Sequence, residues 1–371
     1  MEKTAFPLQE VDVRTDGEDA VFSVRAGSSY RVNAVGRAIC EQLREPVPLT
    51  ELRRRVAAEF DVPPDECTAA VDAFIEQLQR LELVDVIEEE PHAAAIRRRY
   101  LDLLKRALVN LIYPEHELRI EHLEQHGAPA DLYAHQRAMR DIRYDEAGQF
   151  EDLVRTKTHG LVRHRQPTRY SHTMIGLRRL ENLHYCAASV FANGVAGDFL
   201  EAGVCQGGAA IFLRALQVAY GQEQRKTWVA DSFCGLPLPT EEIDVKYEMD
   251  LSEPLYPWLA ISRRAVEDNF RTYDLLSDNV RFLEGWFSDT LPSAPIGELA
   301  ILRIDGDLYE STRDVLTALY DRLSPGGFVI IDDYGAFAAC RAAVDEFREQ
   351  RGITATARWI DWTSIYWQKA R

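Results

Sequence analysis

The 371-residue chain has no apolar run long enough to span a bilayer, and its opening MEKTAFPLQEVDV lacks the apolar core of a secretion signal. Neither membrane insertion nor export by that route is expected, which leaves a cytoplasmic location. Basic charge is in deficit as well: 43 Lys and Arg against 60 Asp and Glu leave a formal charge of -17. Such a surface repels phosphate backbones, which argues against a nucleic-acid partner. Cysteine is sparse, with six residues at 40, 67, 186, 205, 234 and 340 and no C-x-x-C pair. A zinc or disulfide framework is therefore not expected; the pattern fits a reducing compartment, with each thiol a small core residue. Repeats and low-complexity tracts are also lacking. The length exceeds that of one usual domain, so two are expected.

Hydrophobic periodicity divides what is there. Residues 11–32, VDVRTDGEDAVFSVRAGSSYRV, alternate in short bursts broken by DG and AGSS turns, which predicts a three-stranded meander. Three helices follow: AVGRAICEQL behind an Asn33 cap, ELRRRVAAEF behind Thr50, and one over about 65–81 with Val71, Phe74, Ile75 and Leu78 on one face. LVDVI closes this unit, and EEEP at 88–91 marks a boundary near 90. Residues 91–196 open with a basic helix, AAAIRRRYLDLLKRALVNLIY, striped by Tyr100, Leu103, Leu104, Ala107, Leu108 and Leu111. They continue through a polar stretch, 115–176, expected as helical connections or a cap over a site. Over 197–371 strands and helices alternate: DFLEAG, TWVAD, VRFLEG, LAILRI and FVII, then ARWI and SIYWQ with only DWT between them. This predicts an α/β fold with a Rossmann-like, doubly wound, mostly parallel seven-stranded sheet ending in an antiparallel hairpin, beside the small α+β unit over 1–90.

Two strands in this series end in carboxylates. ELAILRIDGDLYES, at 298–311, stops its apolar run at Asp305 and Asp307, and FVIIDDYG stops at Asp332 and Asp333, with the intervening SPGG at 324–327 expected as a turn. These are the carboxyl ends of neighbouring strands, where open α/β sheets bind ligands. Oxygen-only ligands from Asp305, Asp332 and Asp333 suit a hard cation such as Mg²⁺, and the three would repel one another with no cation between them. Each taken singly also reads as a turn residue or helix cap. Asp307 is the least secure, being placed to cap the helix after it.

The first strand runs into EAGVCQGG, where Glu201, Gly203 and Gly207 give E-x-G-x-x-x-G. The glycines permit a tight turn and close approach of a ligand at a helix amino terminus. The spacing is not that of a dinucleotide fingerprint and suits S-adenosylmethionine, whose amino-acid end would lie against the turn. Asp231, ending WVADSF, is placed to accept hydrogen bonds from ribose hydroxyls. His159, His164 and His172 lack metal-ligand spacing and read as loop contacts. The excursion EEIDVKYEMDLSEPLYPW at 241–258 is expected to cover a substrate, while Tyr256, Trp258 and Trp286 read equally as core or pocket wall.

The stretches GDFLEAGVCQGGA, WVADSFCGLP, VRFLEGWFSDTLP, LRIDGDLYEST, LSPGGFVIIDDYG and IDWTSIYW resemble the macrocin O-methyltransferase family over about 97–369. The closing hairpin is likewise that of class I methyltransferases. The resemblance implies an enzyme that uses S-adenosylmethionine and Mg²⁺. Glu201, Gly203, Gly207, Asp231 and Ser232 would bind the cofactor, Gly285, Trp286 and Ser288 would lie near its adenine, and Asp305 would also touch it. Asp305, Asp332 and Asp333 would hold the metal, and Asp305 would take the acceptor's proton.

Residues 1–90, through SSYRVNAVGRAICEQL and their topology, resemble PqqD-like domains, which hold the leader of a ribosomally made precursor peptide. By that resemblance a leader would lie along Ser29, Tyr30 and Arg31 and pack on Val71, Phe74 and Leu78. The 20 acidic against 10 basic side chains of this unit argue against a DNA-binding winged helix. The expected function is methylation of a precursor peptide. The alternatives are a sugar or small-molecule O-methyltransferase with a purely structural amino-terminal unit, and a non-catalytic scaffold. The acceptor, and whether the chain forms a homo-oligomer, stay open.

Overall fold

The computed structural model describes residues 2–7, 11–16, 19–24, 29–43, 46–60, 62, 64–89, 91–113, 171–252 and 254–370. The expected connection or cap over 115–176 therefore falls mostly outside the described residues, as do His159 and His164.

The meander forms as expected, with β2 (Val11–Asp16), β3 (Asp19–Val24) and β4 (Ser29–Val32) antiparallel in the order β2-β3-β4. The Asn33 side chain accepts from the Gly36 N–H at 2.9 Å and starts α1 (Ala34–Gln42). Helix α2 (Leu49–Glu59) starts two residues earlier than expected, with Pro48 at its cap, so Thr50 lies inside the helix and does not cap it. In α3 (Pro64–Arg80), Val71, Ile75 and Leu78 are fully buried against Ile39, Leu52 and Val56 in the unit's own core. Of the apolar residues expected to meet a leader, only Tyr30 and Phe74 are half-buried.

A second small sheet was not anticipated. β1 (Glu2–Pro7) pairs with β5 (Val47–Pro48) on one side and β6 (Val84–Glu89) on the other. Its partners lie at the far end of the unit, so no local pattern announces it. Its Phe6 and the Ile87 of β6 are buried in the core of the second part, together with Leu101 and Leu104 of α4 (Pro91–Leu108) and Tyr185 of α5 (Leu177–Ala192). The Phe6 ring meets His184 edge-on, at 5.2 Å and 87°, and Glu82 pairs with Arg358 at 2.6 Å. A composition boundary near 90 is thus no boundary in packing. On α4, Leu101, Leu104 and Leu108 face inward, whereas Tyr100 and Leu103 of the expected stripe are exposed. We expect Phe6→Ala to cost about 3 kcal/mol of stability, the scale of a truncated core aromatic, while leaving cofactor affinity unchanged. Denaturant melts of the full chain check this, and a loss under about 1 kcal/mol would mean the two parts are only loosely docked.

The second part is built on seven strands in the order β12-β13-β11-β10-β7-β8-β9. They are β7 (Asp198–Ala202), β8 (Thr227–Asp231), β9 (Val280–Glu284), β10 (Leu299–Ile304), β11 (Leu323–Ile331), β12 (Arg358–Trp359) and β13 (Ile365–Gln368). The first five are parallel; β12 and β13 pair antiparallel, as the DWT spacing predicts, and β13 lies antiparallel between β11 and β12. The SPGG segment lies inside β11, not in a turn: an irregularity in the β10–β11 register absorbs it. Helices α5 and α6 (Gly208–Ala219) cover one face. The excursion helix α7 (Glu242–Lys246), then α8 (Arg263–Thr272) and α9 (Phe287–Thr290), precede α10 (Tyr309–Leu319) and α11 (Ala338–Gln350), and these last two cover the other face. Every residue of β10 is buried, Arg303 included. Among the described residues no helix is long and apolar enough to cross a membrane.

Candidate active site

Four parallel strands run out at one edge of the sheet. The Asp305 N–H donates to Ala202 O at 2.8 Å, Asp332 N–H to Ile304 O at 2.9 Å, and Gly203 N–H to Ala230 O at 2.9 Å, so their ends are level. A cavity of about 820 Å³ lies at this edge. Glu201, Gly203, Asp231, Ser232, Gly285, Trp286, Ser288, Asp305, Asp332 and Asp333 all line it. Gly207 does not: its φ of +87° and the nearness of Val266 make it a packing glycine at the cap of α6. Gly203 has φ +84°, and a Cβ there would overlap the Asp305 carbonyl oxygen, which explains why the first turn needs glycine.

Asp231 braces that turn, accepting from the Val204 N–H and the Phe233 N–H, each at 2.7 Å. Its remaining lone pairs are what a ribose hydroxyl could reach. Ser232 is tied to its own loop, donating to Gly235 O at 2.5 Å. Tyr256, Trp258 and Trp286, which sequence could not assign, line the cavity, joined by Leu236, Leu251, Phe337 and Trp362. The excursion over 241–258 thus reaches the cavity, as expected. Cys205 also lines it and Cys234 is exposed, so these two are not core thiols, whereas Cys67, Cys186 and Cys340 are. The Nδ1 of His172 lies 2.7 Å from the Tyr273 hydroxyl, a loop contact.

The acidic group is closer and more crowded than the strand ends alone imply. Ligand oxygens of Asp305, Asp332 and Asp333 all lie within 4.8 Å of one another. Two buried arginines enter the cluster. Arg303, directly beside Glu201 in the β7–β10 register, pairs with Glu201, with Asp332 at 2.5 Å and with Asp305 at 3.0 Å. Arg179, on α5, pairs with Asp332 and, at 2.8 Å, with Asp361. Burial opposes the Arg303 charge, but Asp332, Asp305 and Glu201 outweigh it and hold its pKa well above the ordinary value. The repulsion expected among the three carboxylates is offset in part by guanidinium groups that stand between them, which the sequence reading did not foresee.

The carboxylates still outnumber the guanidinium groups, and the excess is on the cavity side. Burial pushes Asp333 well above the carboxylate range, with Asp307, Asp305 and Asp332 adding to it. Asp307 is pushed up to about 8, by burial first and then by Asp305. Burial likewise pushes Glu201 up to about 8 against the pull of Arg303. The Asp333 Oδ2 atom is buried with no hydrogen-bond partner among the described residues, while both oxygens of Asp332 meet arginines. This all-oxygen set with one orphaned acceptor fits a hard cation. Asp307 is no helix cap: it lines the cavity at φ +57°, and the amides opening α10 are held by Asp244. Arg303 could have been suspected, as a lone charge inside an apolar strand needs buried partners. Nothing local marks Arg179, Asp361 or Asp244.

Comparison with known proteins agrees with this geometry. Residues 97–369 match the macrocin-O-methyltransferase (TylF) family and residues 18–84 match the coenzyme PQQ synthesis protein D (PqqD) family. The chain is 44% identical over 270 residues to the 8-demethyl-8-(2,3-dimethoxy-alpha-L-rhamnosyl)-tetracenomycin-C 4'-O-methyltransferase of Streptomyces olivaceus, covering 72% of this chain and 92% of that protein. It is 42% identical over 276 residues to the mycinamicin III 3''-O-methyltransferase of Micromonospora griseorubida, covering 73% and 96%. The structure of the O-methyltransferase NovP superposes with a TM-score of 0.60 at 39% identity, covering 74% of this chain and 100% of its own. A glycine turn, an acidic strand-end cluster and a β13 inserted antiparallel therefore coincide with family likeness over nearly three quarters of the sequence. The chain belongs to the macrocin O-methyltransferase family and is an S-adenosylmethionine-dependent O-methyltransferase of class EC 2.1.1 that carries a PqqD domain at its amino end.

Proposed function

We propose that the enzyme methylates a hydroxyl of a sugar carried on a natural-product scaffold, with Asp305, Asp332 and Asp333 holding Mg²⁺. The observation that carries this is the likeness to the tetracenomycin and mycinamicin enzymes over 72% and 73% of the chain. The cavity suits such an acceptor: beside the carboxylates stand Tyr256, Trp258, Phe337 and Trp362, whose flat faces pack against sugar C–H groups and an apolar scaffold. When bound, S-adenosylmethionine supplies an electrophilic sulfonium methyl, and a divalent cation lowers the pKa of an acceptor hydroxyl.

The protein's part is placement and proton handling. Glu201, Gly203, Asp231 and Ser232 hold the cofactor end of the cavity, with Gly285, Trp286 and Ser288 around its adenine. The carboxylate cluster orients the acceptor oxygen in line with the methyl. A carboxylate beside that oxygen takes its proton as the bond forms. Asp305 lines the cavity but is engaged by Arg303. Asp307, which has no ion pair with either arginine among the described residues, is the freer acceptor of the two.

A second acceptor class is favoured by one specific observation, the PqqD match over 18–84. In it a ribosomal precursor peptide is delivered by a leader lying along Ser29, Tyr30 and Arg31 and against Phe74, with Val71 and Leu78 acting from beneath as core. Tethering of this kind raises the acceptor's local concentration to the order of millimolar. One assay separates the two: formation of S-adenosylhomocysteine with glycosylated natural products, and with precursor peptides with and without leaders, each with and without EDTA. We expect turnover on the glycosides and its loss in EDTA, with cofactor binding kept. Turnover only on leader-bearing peptides would replace the sugar acceptor by a peptide, and full turnover in EDTA would remove the metal.

A further inference from the structure

We propose that Asp244 is a positioning residue for methyl transfer, holding the 305–308 loop in its working shape from outside the cavity. This rests on the assignment of Asp305 and its neighbours as the reacting centre. Helix α10 begins immediately after Asp305, Gly306, Asp307 and Leu308, and the residue at its cap position, Leu308, has no side-chain acceptor to offer. Its opening amides are held from elsewhere. Asp244 is 0% exposed, and its two oxygens accept from the Tyr309 N–H at 2.8 Å and the Glu310 N–H at 3.2 Å. A single buried carboxylate, brought in from 65 residues earlier, does the work of an N-cap.

The loop it holds does not support itself. Asp307 sits in the left-handed region at φ +57°, and the Leu308 N–H closes a tight turn onto Gly306 O at 2.6 Å. A non-glycine residue keeps such a conformation only when its surroundings impose it. On one side the Asp305 carbonyl is wedged against Gly203. On the other, the support is Asp244 and what travels with it. Thr240 donates to Glu310 at 2.7 Å, Arg313 to Glu241 at 2.6 Å, and Met249 packs on Leu308 and Ala339. The same excursion supplies Leu251, Tyr256 and Trp258 to the cavity wall. Wall and carboxylate loop are therefore one mechanical piece, joined at Asp244.

The test uses the full chain as wild type, Asp244→Ala and Asp244→Asn, with Mn²⁺ alone and S-adenosylhomocysteine alone as probes. Alanine should weaken Mn²⁺ binding by roughly tenfold or more, the scale seen when an outer partner of a metal site is removed. Hydrogen exchange over 305–311 should quicken, while S-adenosylhomocysteine affinity and exchange in β7 and β8 stay unchanged. Asparagine keeps one acceptor oxygen and should fall between wild type and alanine. Unchanged Mn²⁺ affinity together with unchanged exchange over 305–311 in the alanine variant overturns the proposal. So does an equal loss of both affinities, which would mark Asp244 as merely structural. Failure of the wild type to bind Mn²⁺ counts against the metal instead, and exchange over 305–311 with rescue by asparagine then decides Asp244.

Discussion

Arg303→Met is expected to cost about 3–5 kcal/mol of folding stability, the range for breaking a buried ion pair from one side. The residue is 1% exposed and its guanidinium meets Glu201, Asp305 and Asp332. Methionine fills much of the volume but leaves three carboxylates facing one another, with Glu201 and Asp332 out of water. Lysine should rescue little, since one compact ammonium cannot reach three carboxylates as a planar fork does. The deficit should also depend on pH. A carboxyl whose folded pKa lies above its unfolded value favours the fold while protonated, and that contribution is lost as pH rises through the folded pKa. Arg303 restrains the upward push of burial on Asp305, so removing the guanidinium should raise that carboxyl further and widen the gap from wild type as pH climbs above the ordinary carboxylate range, while Glu201, already pushed up to about 8 by burial, widens it only above about pH 8. Urea titrations at pH 5.5 and 8 read this out, and a variant within about 1 kcal/mol of wild type at both would show that the arginine is not what the cluster is built on.

Gly203→Ala should all but abolish cofactor binding. At φ +84° an L-residue costs about 1–2 kcal/mol, and overpacking against a fixed neighbour adds about 1–3 kcal/mol. The neighbour is the Asp305 backbone, which cannot swing aside as a side chain would. Relief must come from moving either the glycine turn or the acidic loop, and both line the cavity. Calorimetry with S-adenosylhomocysteine should find at least a hundredfold loss, about 2.7 kcal/mol, with a lowered Tm. Retained affinity would place the cofactor away from this turn. By the same geometry Gly207→Ala should act through the packing of α6 on Val266, harming stability more than affinity.

Much of the catalytic part was legible because its signals are local. A buried parallel strand is a short apolar run, a strand-to-helix turn is a glycine at a set offset, and a ligand edge is where runs end in carboxylates. DFLEAG, TWVAD, LAILRI and FVII followed from such patterns, and so did the glycine turn at 203 and Asp305, Asp332 and Asp333. SPGG misled for the same reason: its composition is that of a turn, and only pairing with β10 makes it strand.

What escaped is what depends on partners far along the chain. Arg303 and Glu201 are 102 residues apart, and Arg179 and Asp332 are 153 apart. An isolated arginine in a sequence carries no sign of which carboxylates it will meet. The docking of β1 on α5 is equally non-local, with Phe6 finding His184 and Tyr185 across a composition change that reads as a boundary. The sequence alone determined the order of elements, the glycine turn at the cavity edge and the strand ends that bear acid, because backbone sterics and hydrophobic periodicity act over a few residues. Only the tertiary structure decided that two arginines neutralise part of the acidic cluster, that Asp244 caps the helix behind it, and that the amino-terminal unit packs into the catalytic core. Each of these is a desolvated contact, and its energy exists only once the fold has excluded water from between groups the chain keeps far apart.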